Sequence, residues 1–89
     1  MQNSHDIVTT LDLTGLKCPL PVLKARRAVK AMLDQGETGV IAVLADDPAA
    51  PLDFQHFCDT SGLALLRNDA EGGVFTMHIE VRADRLQGN

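Results

Sequence analysis

The sequence contains no tryptophan or tyrosine and only three phenylalanines among its 89 residues. Its core must therefore be built mainly from aliphatic side chains and methionine. Long apolar runs are absent too: the longest, 40–45, is far shorter than the ~20 residues of a membrane-spanning helix. A chain of this length closes one modest core. We therefore expect a single domain over 1–89, with its core at about 7–82 and flexible ends at 1–6 and 83–89.

Signals for secretion, disulfide bonding and metal binding are also missing. The polar first six residues do not resemble a secretory signal, so we expect a cytoplasmic protein without membrane contact. Two cysteines, Cys18 and Cys58, do not form a disulfide framework and are expected to be thiols. His56 beside Cys58 could suggest a metal pair, but with three histidines in all a four-ligand site is not expected. We expect no cofactor.

Positive charge is scarce overall but concentrated in one segment. The net charge of −4 argues against direct binding of nucleic acid, which requires surplus lysine and arginine. Residues 17–33 nevertheless contain five basic residues and no acid, whereas the rest of the chain has three basic and twelve acidic residues. The five are Lys17, Lys24, Arg26, Arg27 and Lys30. We interpret them as a docking surface for partner proteins, and the alternative is an ordinary solvated surface.

Hydrophobic periodicity predicts the element order β-α-β-α-β-β. Strands are predicted at 7–13, 40–45, 63–67 and 74–81, and helices at about 19–34 and from Asp46-Asp47-Pro48 to Gly62. Residues 68–73 are predicted to form a turn. The last strand alternates clearly, with Thr76, His78 and Glu80 on its polar face. One polar sheet face, with both helices on the other, indicates an α/β (α+β) two-layer sandwich.

Each predicted helix has a distinct apolar side. In the first helix the apolar arc comprises Val22, Ala25, Ala28, Val29, Met32 and Leu33, and the basic residues take the opposite arc. In the second helix the apolar side carries Phe54, Phe57 and Cys58. Since free cysteine behaves as a small hydrophobic residue, we favour a packing role for Cys58. A role as a resolving thiol stays open.

Chemistry is concentrated at Cys18, immediately before the first helix. Pro19 is predicted at the first helical position and Pro21 within the first turn, where a missing N–H costs nothing. The free amides of Leu20 and Val22 and the helix dipole would then favour a thiolate, so we expect the Cys18 pKa to be lowered. Cysteine is a poor N-cap, which favours a functional role over a structural one. Position 21 is proline, which excludes a Cys-x-x-Cys pair.

Asp46 and Asp47 follow the second predicted strand directly. Two roles stay open for them: capping the second helix, which we favour, or lying near Cys18. His78 is expected to be solvated, and His5 lies in the N-terminal end.

Three stretches together resemble the TusA/SirA family of small sulfur-carrier proteins. They are Gly15-Leu16-Lys17-Cys18-Pro19-Leu20-Pro21 before a basic helix, Ala45-Asp46-Asp47-Pro48-Ala49, and Asp53-Phe54-x-x-Phe57-Cys58. The resemblance spans roughly 11–81 and centres on the Cys-Pro-x-Pro motif. It implies a mixed four-stranded sheet with two helices, in agreement with the periodicity.

The resemblance also implies a function. The family's motif cysteine accepts sulfane sulfur as a persulfide, and by that analogy Cys18 is the carrier, with Pro19 and Pro21 as its scaffold. The implied donor is a cysteine desulfurase or rhodanese-like protein. The acceptor protein would serve tRNA thiolation, cofactor maturation or sulfur metabolism.

We therefore expect a monomeric sulfurtransferase-type carrier rather than an enzyme with a turnover site. The chief alternative is a regulatory module that uses Cys18 as a redox-sensing thiol, since exposed thiols of low pKa are the ones that oxidise. Nucleic-acid binding through the basic helix is a third possibility, disfavoured by the net charge and the shortage of aromatic residues.

Overall fold

The structure, a computed structural model, describes residues 7–82. Its elements follow the predicted order: β1 Ile7–Asp12, α1 Leu20–Asp34, β2 Gly39–Ala45, α2 Ala50–Ser61, β3 Ala64–Glu71 and β4 Val74–Val81. The ends predicted to be flexible, 1–6 and 83–89, lie outside the described residues. Within the described part, neither helix is long and apolar enough to cross a membrane.

The four strands form one mixed sheet in the order β1-β2-β4-β3. β1 pairs with β2 in parallel, whereas β4 is antiparallel to both of its neighbours, β2 and β3. Both helices pack on one face of this sheet, since their buried residues share one core cluster with alternate residues of β2 and β4. The predicted two-layer α/β sandwich is thereby confirmed.

The core lies between the two helices and this sheet face. α1 contributes Ala25, Val29 and Met32 from its predicted apolar arc, and α2 contributes Phe54, Phe57 and Cys58. Phe54 and Phe57 meet edge to face, with ring centroids 6.4 Å apart. The sheet completes the core with alternate apolar positions of β2 and β4, namely Ile41, Val43, Ala45, Met77, Ile79 and Val81. The core is thus largely aliphatic, as the composition indicates.

β3 is longer than the sequence indicates. The prediction ended the strand at Arg67 and placed a turn over 68–73, but β3 continues to Glu71. Asn68, Asp69 and Ala70 pair with successive residues of β4, so hydrogen bonding to a strong neighbouring strand overrides their low strand preference. The turn shrinks to Gly72 and Gly73, whose φ angles of 61° and 83° suit a two-residue hairpin.

β1 contains a bulge at its start. Ile7 pairs with Val40 and Thr9 with Ile41, so Val8 has no partner of its own in β2. The side chain of Val8 instead lies over Gly39, where a Cβ atom would come within 3.0 Å of Val8 Cγ1. Gly39 has a φ of 139°, so glycine meets both the steric and the backbone requirement at this position.

Candidate functional site

Two loops meet at one edge of the sheet and build the candidate site. Because β1 and β2 are parallel, their carboxyl ends lie side by side, with Asp12 opposite Leu44. The Leu13 N–H continues this pairing with a hydrogen bond of 2.8 Å to the Leu44 carbonyl. The loop leading to α1 and the loop leading to α2 therefore start next to each other.

Asp46 and Asp47, which follow β2, hold the main chain of the first loop. The Gly15 N–H donates to both carboxylate oxygens of Asp46, at 3.0 and 3.1 Å. The Cys18 N–H donates to Asp47 Oδ2 at 2.7 Å, and Asp47 Oδ1 accepts from the Ala49 N–H at 3.0 Å. Hydrogen bonds from Ala49 and then Cys18 lower the pKa of Asp47, so its carboxylate stays charged.

The favoured prediction, that these two aspartates cap α2, is therefore wrong. The N-cap of α2 is Ala49, without a capping hydrogen bond from a side chain. The alternative prediction placed both aspartates near Cys18, and the main-chain contacts agree with that position.

The Cys18 thiol lies against the carboxylate of Asp53, in the first turn of α2. Cys18 Sγ donates a hydrogen bond to Asp53 Oδ2 at 2.6 Å, and the cysteine is partly buried. This hydrogen bond, helped by desolvation and by the charges of Asp53 and Asp47, raises the pKa of Cys18 from 9.0 to about 11. The thiol is therefore the resting form at neutral pH.

The predicted lowering of the Cys18 pKa is wrong, because the hydrogen bond to Asp53 raises it and the start of α1 differs from the expectation. α1 begins at Leu20 with Pro19 as its N-cap, so Cys18 lies one residue further from the helix than expected. The Leu20 N–H donates to the Lys17 carbonyl at 2.9 Å and is not free to bind the sulfur. Two carboxylates near the thiol then outweigh the partial charge of the helix terminus.

The two motif prolines occupy different environments. Pro19 follows a cis peptide bond after Cys18 and is exposed, whereas Pro21, the second residue of α1, is buried. Pro21 thus anchors the start of α1 to the body of the protein, and Pro19 remains at the surface beside the thiol.

A shallow groove of about 200 Å³ opens between α1 and α2. It is lined by Pro19, Val22, Arg26, Asp53, His56 and Phe57. The Arg26 guanidinium lies 5.4 Å from the centroid of the Phe57 ring, a cation–π contact that joins the two helices. The groove therefore has an apolar floor with charged side chains beside it.

The first turns of both helices, which also contribute lining residues to this groove, carry exposed leucines. Leu20 and Leu23 of α1 are 46% and 47% exposed, and Leu52 of α2 is 76% exposed. The helix starts that carry the candidate site thus combine apolar side chains with a buried proline and a carboxylate.

The predicted docking residues Lys17, Lys24, Arg26, Arg27 and Lys30 are all exposed. Lys30 forms an exposed ion pair of 3.2 Å with Asp34, one turn later. Arg26 takes part in the contact between the helices. Among the described residues, 7–82, Lys24 and Arg27 of α1 form neither an ion pair nor a cation–π contact. The basic side of α1 is therefore available to solvent beside the groove.

The remaining candidates lie apart from the thiol's contacts. Cys58 is 1% exposed in the core, and burial followed by the charge of Asp59 raises its pKa to about 11. His78 is half-buried on the helix-free sheet face, opposite Ala42. Within residues 7–82 no three His, Cys, Asp or Glu side chains are placed to bind one metal ion. His5 lies outside the described residues.

Asp53 is the site residue that sequence reasoning missed. It is 35 positions from Cys18, and only the packing of α2 beside the first loop brings the two side chains together. Asp53 was named in the third stretch that resembles the family but was given no role, since acidic residues are common in the first turn of a helix for electrostatic reasons alone.

Comparisons with known proteins agree with this geometry. The family described as "Sulfurtransferase TusA" matches residues 9–81. A putative sulfur carrier protein of Neisseria meningitidis is 49% identical over 71 residues, covering 80% of this chain and 92% of the relative. The sulfur carrier protein TusA of Allochromatium vinosum is 40% identical over 70 residues, covering 79% and 88%.

A solved structure supports the same relationship at the level of the fold. The crystal structure of a SirA-like protein from Desulfitobacterium hafniense superposes with a TM-score of 0.71 at 26% identity, covering 82% of this chain and 96% of that one. Sequence, fold and motif agree, and the chain belongs to the TusA/SirA family.

Proposed function

We propose that this protein is a sulfur-relay carrier that holds sulfane sulfur as a persulfide on Cys18. Relatives that match most of the chain are named sulfur carrier proteins, which supports the class of function. The observation that carries the assignment to Cys18 is its setting: a partly buried thiol on a loop whose main chain is fixed by Asp46 and Asp47. A fixed loop presents the sulfur to a partner in one geometry.

The reaction is an exchange between two sulfur atoms and needs no external oxidant. In loading, Cys18 Sγ attacks the outer sulfur of a donor persulfide, and the donor's S–S bond breaks with its electron pair leaving on the donor cysteine. In unloading, an acceptor thiolate attacks the outer sulfur held on Cys18, and the S–S bond of the Cys18 persulfide breaks with its electron pair leaving on Cys18 Sγ, which then takes up a proton. Neither reaction requires a bound small molecule. A shallow groove beside Cys18 is therefore sufficient, and a deep cleft is not needed.

The proposed partners are two proteins of complementary charge. The donor is a cysteine desulfurase or rhodanese-like protein, and the acceptor serves tRNA thiolation, cofactor maturation or sulfur metabolism. We assign docking to Lys17, Lys24, Arg26, Arg27 and Lys30, since a basic surface on an acidic protein steers acidic partners. The proposal includes a monomer working in the cytoplasm, where thiols stay reduced, with no direct contact to nucleic acid.

The structure weakens the alternative of a redox sensor. A thiol with a pKa of about 11 is ionised in only about one part in ten thousand at pH 7. Redox-sensing cysteines are instead rich in thiolate, because the thiolate is the form that peroxide oxidises. A docked donor holds its persulfide next to the Cys18 thiol in an orientation that allows reaction, whereas a dilute oxidant is not held there.

Mass spectrometry tests the assignment directly. Incubation with a cysteine desulfurase and cysteine should add about 32 mass units, one sulfur atom, to the parent protein and to Cys58→Ala. Cys18→Ser should fold and take up no sulfur, because the hydroxyl forms no persulfide. Sulfur uptake by Cys18→Ser would refute the role of Cys18. Steps of about 16 mass units with dilute peroxide, without sulfur uptake, would favour the sensor.

A further inference from the structure

We propose that Asp53 is a catalytic residue of sulfur loading: its carboxylate accepts the proton of Cys18 as the sulfur attacks the donor persulfide. This inference rests on the proposed function and adds a proton acceptor to it. It starts from the contact of 2.6 Å between Cys18 Sγ and Asp53 Oδ2, which is the hydrogen bond that a proton transfer requires.

The main chain is fixed on both sides of this contact. Asp53 lies in the first turn of α2, where its N–H donates to the Ala49 carbonyl at 3.1 Å, and the next residue, Phe54, is fully buried. Cys18 is fixed by its own N–H on Asp47. Both partners of the contact are therefore held by main-chain anchors rather than by the contact itself.

Cys18 needs an acceptor because its resting form is the protonated thiol. Only a thiolate is an effective nucleophile, and the same carboxylate that suppresses free thiolate is within reach of the thiol proton. The proton can therefore leave at the moment when sulfur attacks. Cys18 then stays unreactive towards solvent oxidants yet reacts with a docked donor.

Other ionisable groups near the thiol are less suited to this role. Asp47 binds the Cys18 N–H and the Ala49 N–H through its two oxygens. Arg26 and His56 line the groove with Asp53, but the hydrogen bond from Cys18 Sγ goes to Asp53. Lys17 acts on Asp47 through its charge. Asp53 is therefore the group assigned to the proton.

The step balances without any net oxidation. The new bond joins Cys18 Sγ to the donor's outer sulfur, and the bond that breaks is the donor's S–S bond, whose electron pair leaves with the donor cysteine. The proton of Cys18 moves to Asp53 Oδ2, and it then passes to the departing donor thiolate, directly or through water. Asp53 is again a carboxylate when the donor dissociates.

Asp53→Asn tests the proposal because it should change two rates in opposite directions. Without the carboxylate the Cys18 pKa returns towards 9.0, so alkylation by iodoacetamide near neutral pH should become about tenfold faster, the lower intrinsic nucleophilicity included. Sulfur loading from the persulfidated desulfurase should become at least tenfold slower, because the general base is gone. A purely structural role of Asp53 would not separate the two rates.

Asp59→Asn is the matched control, since it makes the same change on the same helix at an exposed position whose carboxylate binds Gln55. Both rates measured at Cys18 should stay within about twofold of the parent in this variant. The ratio of the Asp53→Asn loading rate to the parent rate should also rise between about pH 6 and pH 8. Without Asp53 the thiol must lose its proton to water before it attacks, and the thiolate fraction increases with pH.

Equal loading rates for Asp53→Asn and the parent would overturn the proposal, and so would a fall in both loading and alkylation or a ratio that is constant with pH. Failure of the parent itself to take up sulfur would refute the proposed function instead, so the two failures can be distinguished.

Discussion

Cys18 and Cys58 have thiol pKa values raised to about 11, but the causes differ. For Cys18 the main cause is the hydrogen bond to Asp53, whereas for Cys58 it is burial in the core. A carboxylate can be removed without unfolding the protein, but burial ends only when the protein unfolds. Alkylation of Cys58 should therefore report unfolding, whereas alkylation of Cys18 reports its local environment.

Cys58→Ala should keep sulfur loading and lower the free energy of unfolding by about 1 kcal/mol. The physical reason is the loss of a buried sulfur atom from a site that is 1% exposed, which leaves a small cavity. Urea denaturation measures the stability and the mass shift measures the loading. Loss of loading in a variant that is otherwise folded would show that Cys58 takes part in the relay.

The sequence identified Cys18 but not its environment. The cysteine between Lys17 and Pro19 stands out because its motif is local, and a local motif is visible in one sequence. The sign of its pKa shift depends on Asp53, which only tertiary packing brings to the sulfur. The helix dipole alone favours a lowered pKa, but the carboxylates of Asp53 and Asp47 raise it.

At the scale of elements, the hydrophobic pattern of α1 predicts its buried side but not its first residue. Its apolar arc predicts the buried side correctly, because a period of 3.6 residues places Ala25, Val29 and Met32 together. Its start is misplaced by one residue, since Pro19 is compatible with both the N-cap and the first helical position. That one residue separates Cys18 from the position expected for it.

The basic side of α1 yields a prediction about docking. Reversal of Lys24 and Arg27 to glutamate should slow sulfur loading tenfold or more at low salt, because most of the electrostatic attraction to an acidic donor is then lost. Lys24 and Arg27 lie about 6 and 10 Å along α1 from Leu20, and Cys18 precedes that helix, so alkylation of the thiol at physiological salt should change by less than about twofold.

Salt concentration and a second variant supply the controls for this experiment. Raising the salt should slow the parent and leave the double variant nearly unchanged, since salt screens attraction between exposed charges. Arg67→Glu, a reversal on the exposed part of β3, should load at close to the parent rate. Parent-like loading by the double variant at low salt would show that these charges are only a solvated surface.

The length of β3 could not be predicted from the sequence. Its second half, from Asn68 to Glu71, consists of residues that are poor strand formers, so the pattern predicted a turn. The paired strand β4 supplies hydrogen bonds that a single sequence does not display. β4 itself was predicted with the correct bounds, because half of its residues face the core and alternate with polar ones.

At the scale of the whole molecule, the raised thiol pKa values predict a loss of stability in alkali. A thiol whose folded pKa lies above its ordinary value of 9.0 binds its proton more tightly in the folded state. This contribution is complete below about pH 9 and disappears as the pH rises to about 11.

The free energy of unfolding should therefore fall more steeply over this range in the parent than in Cys58→Ala, which lacks the buried thiol. Urea denaturation at about pH 8, 9 and 10.5 measures the two slopes. Identical slopes would show that ionisation of Cys58 does not contribute to the alkaline transition.

The bulge at Val8 has a consequence for the outer strands of the sheet. A regular outer strand offers its free main-chain groups to another copy of the chain, and such pairing leads to aggregation. In β1 the pairing skips Val8. The other outer strand, β3, carries the charged residues Arg67, Asp69 and Glu71. Both outer strands of the described sheet are irregular, since β3 also shifts register between Leu65 and Arg67, and β3 adds charge. We therefore expect neither border to be a good template for strand addition, even at high protein concentration.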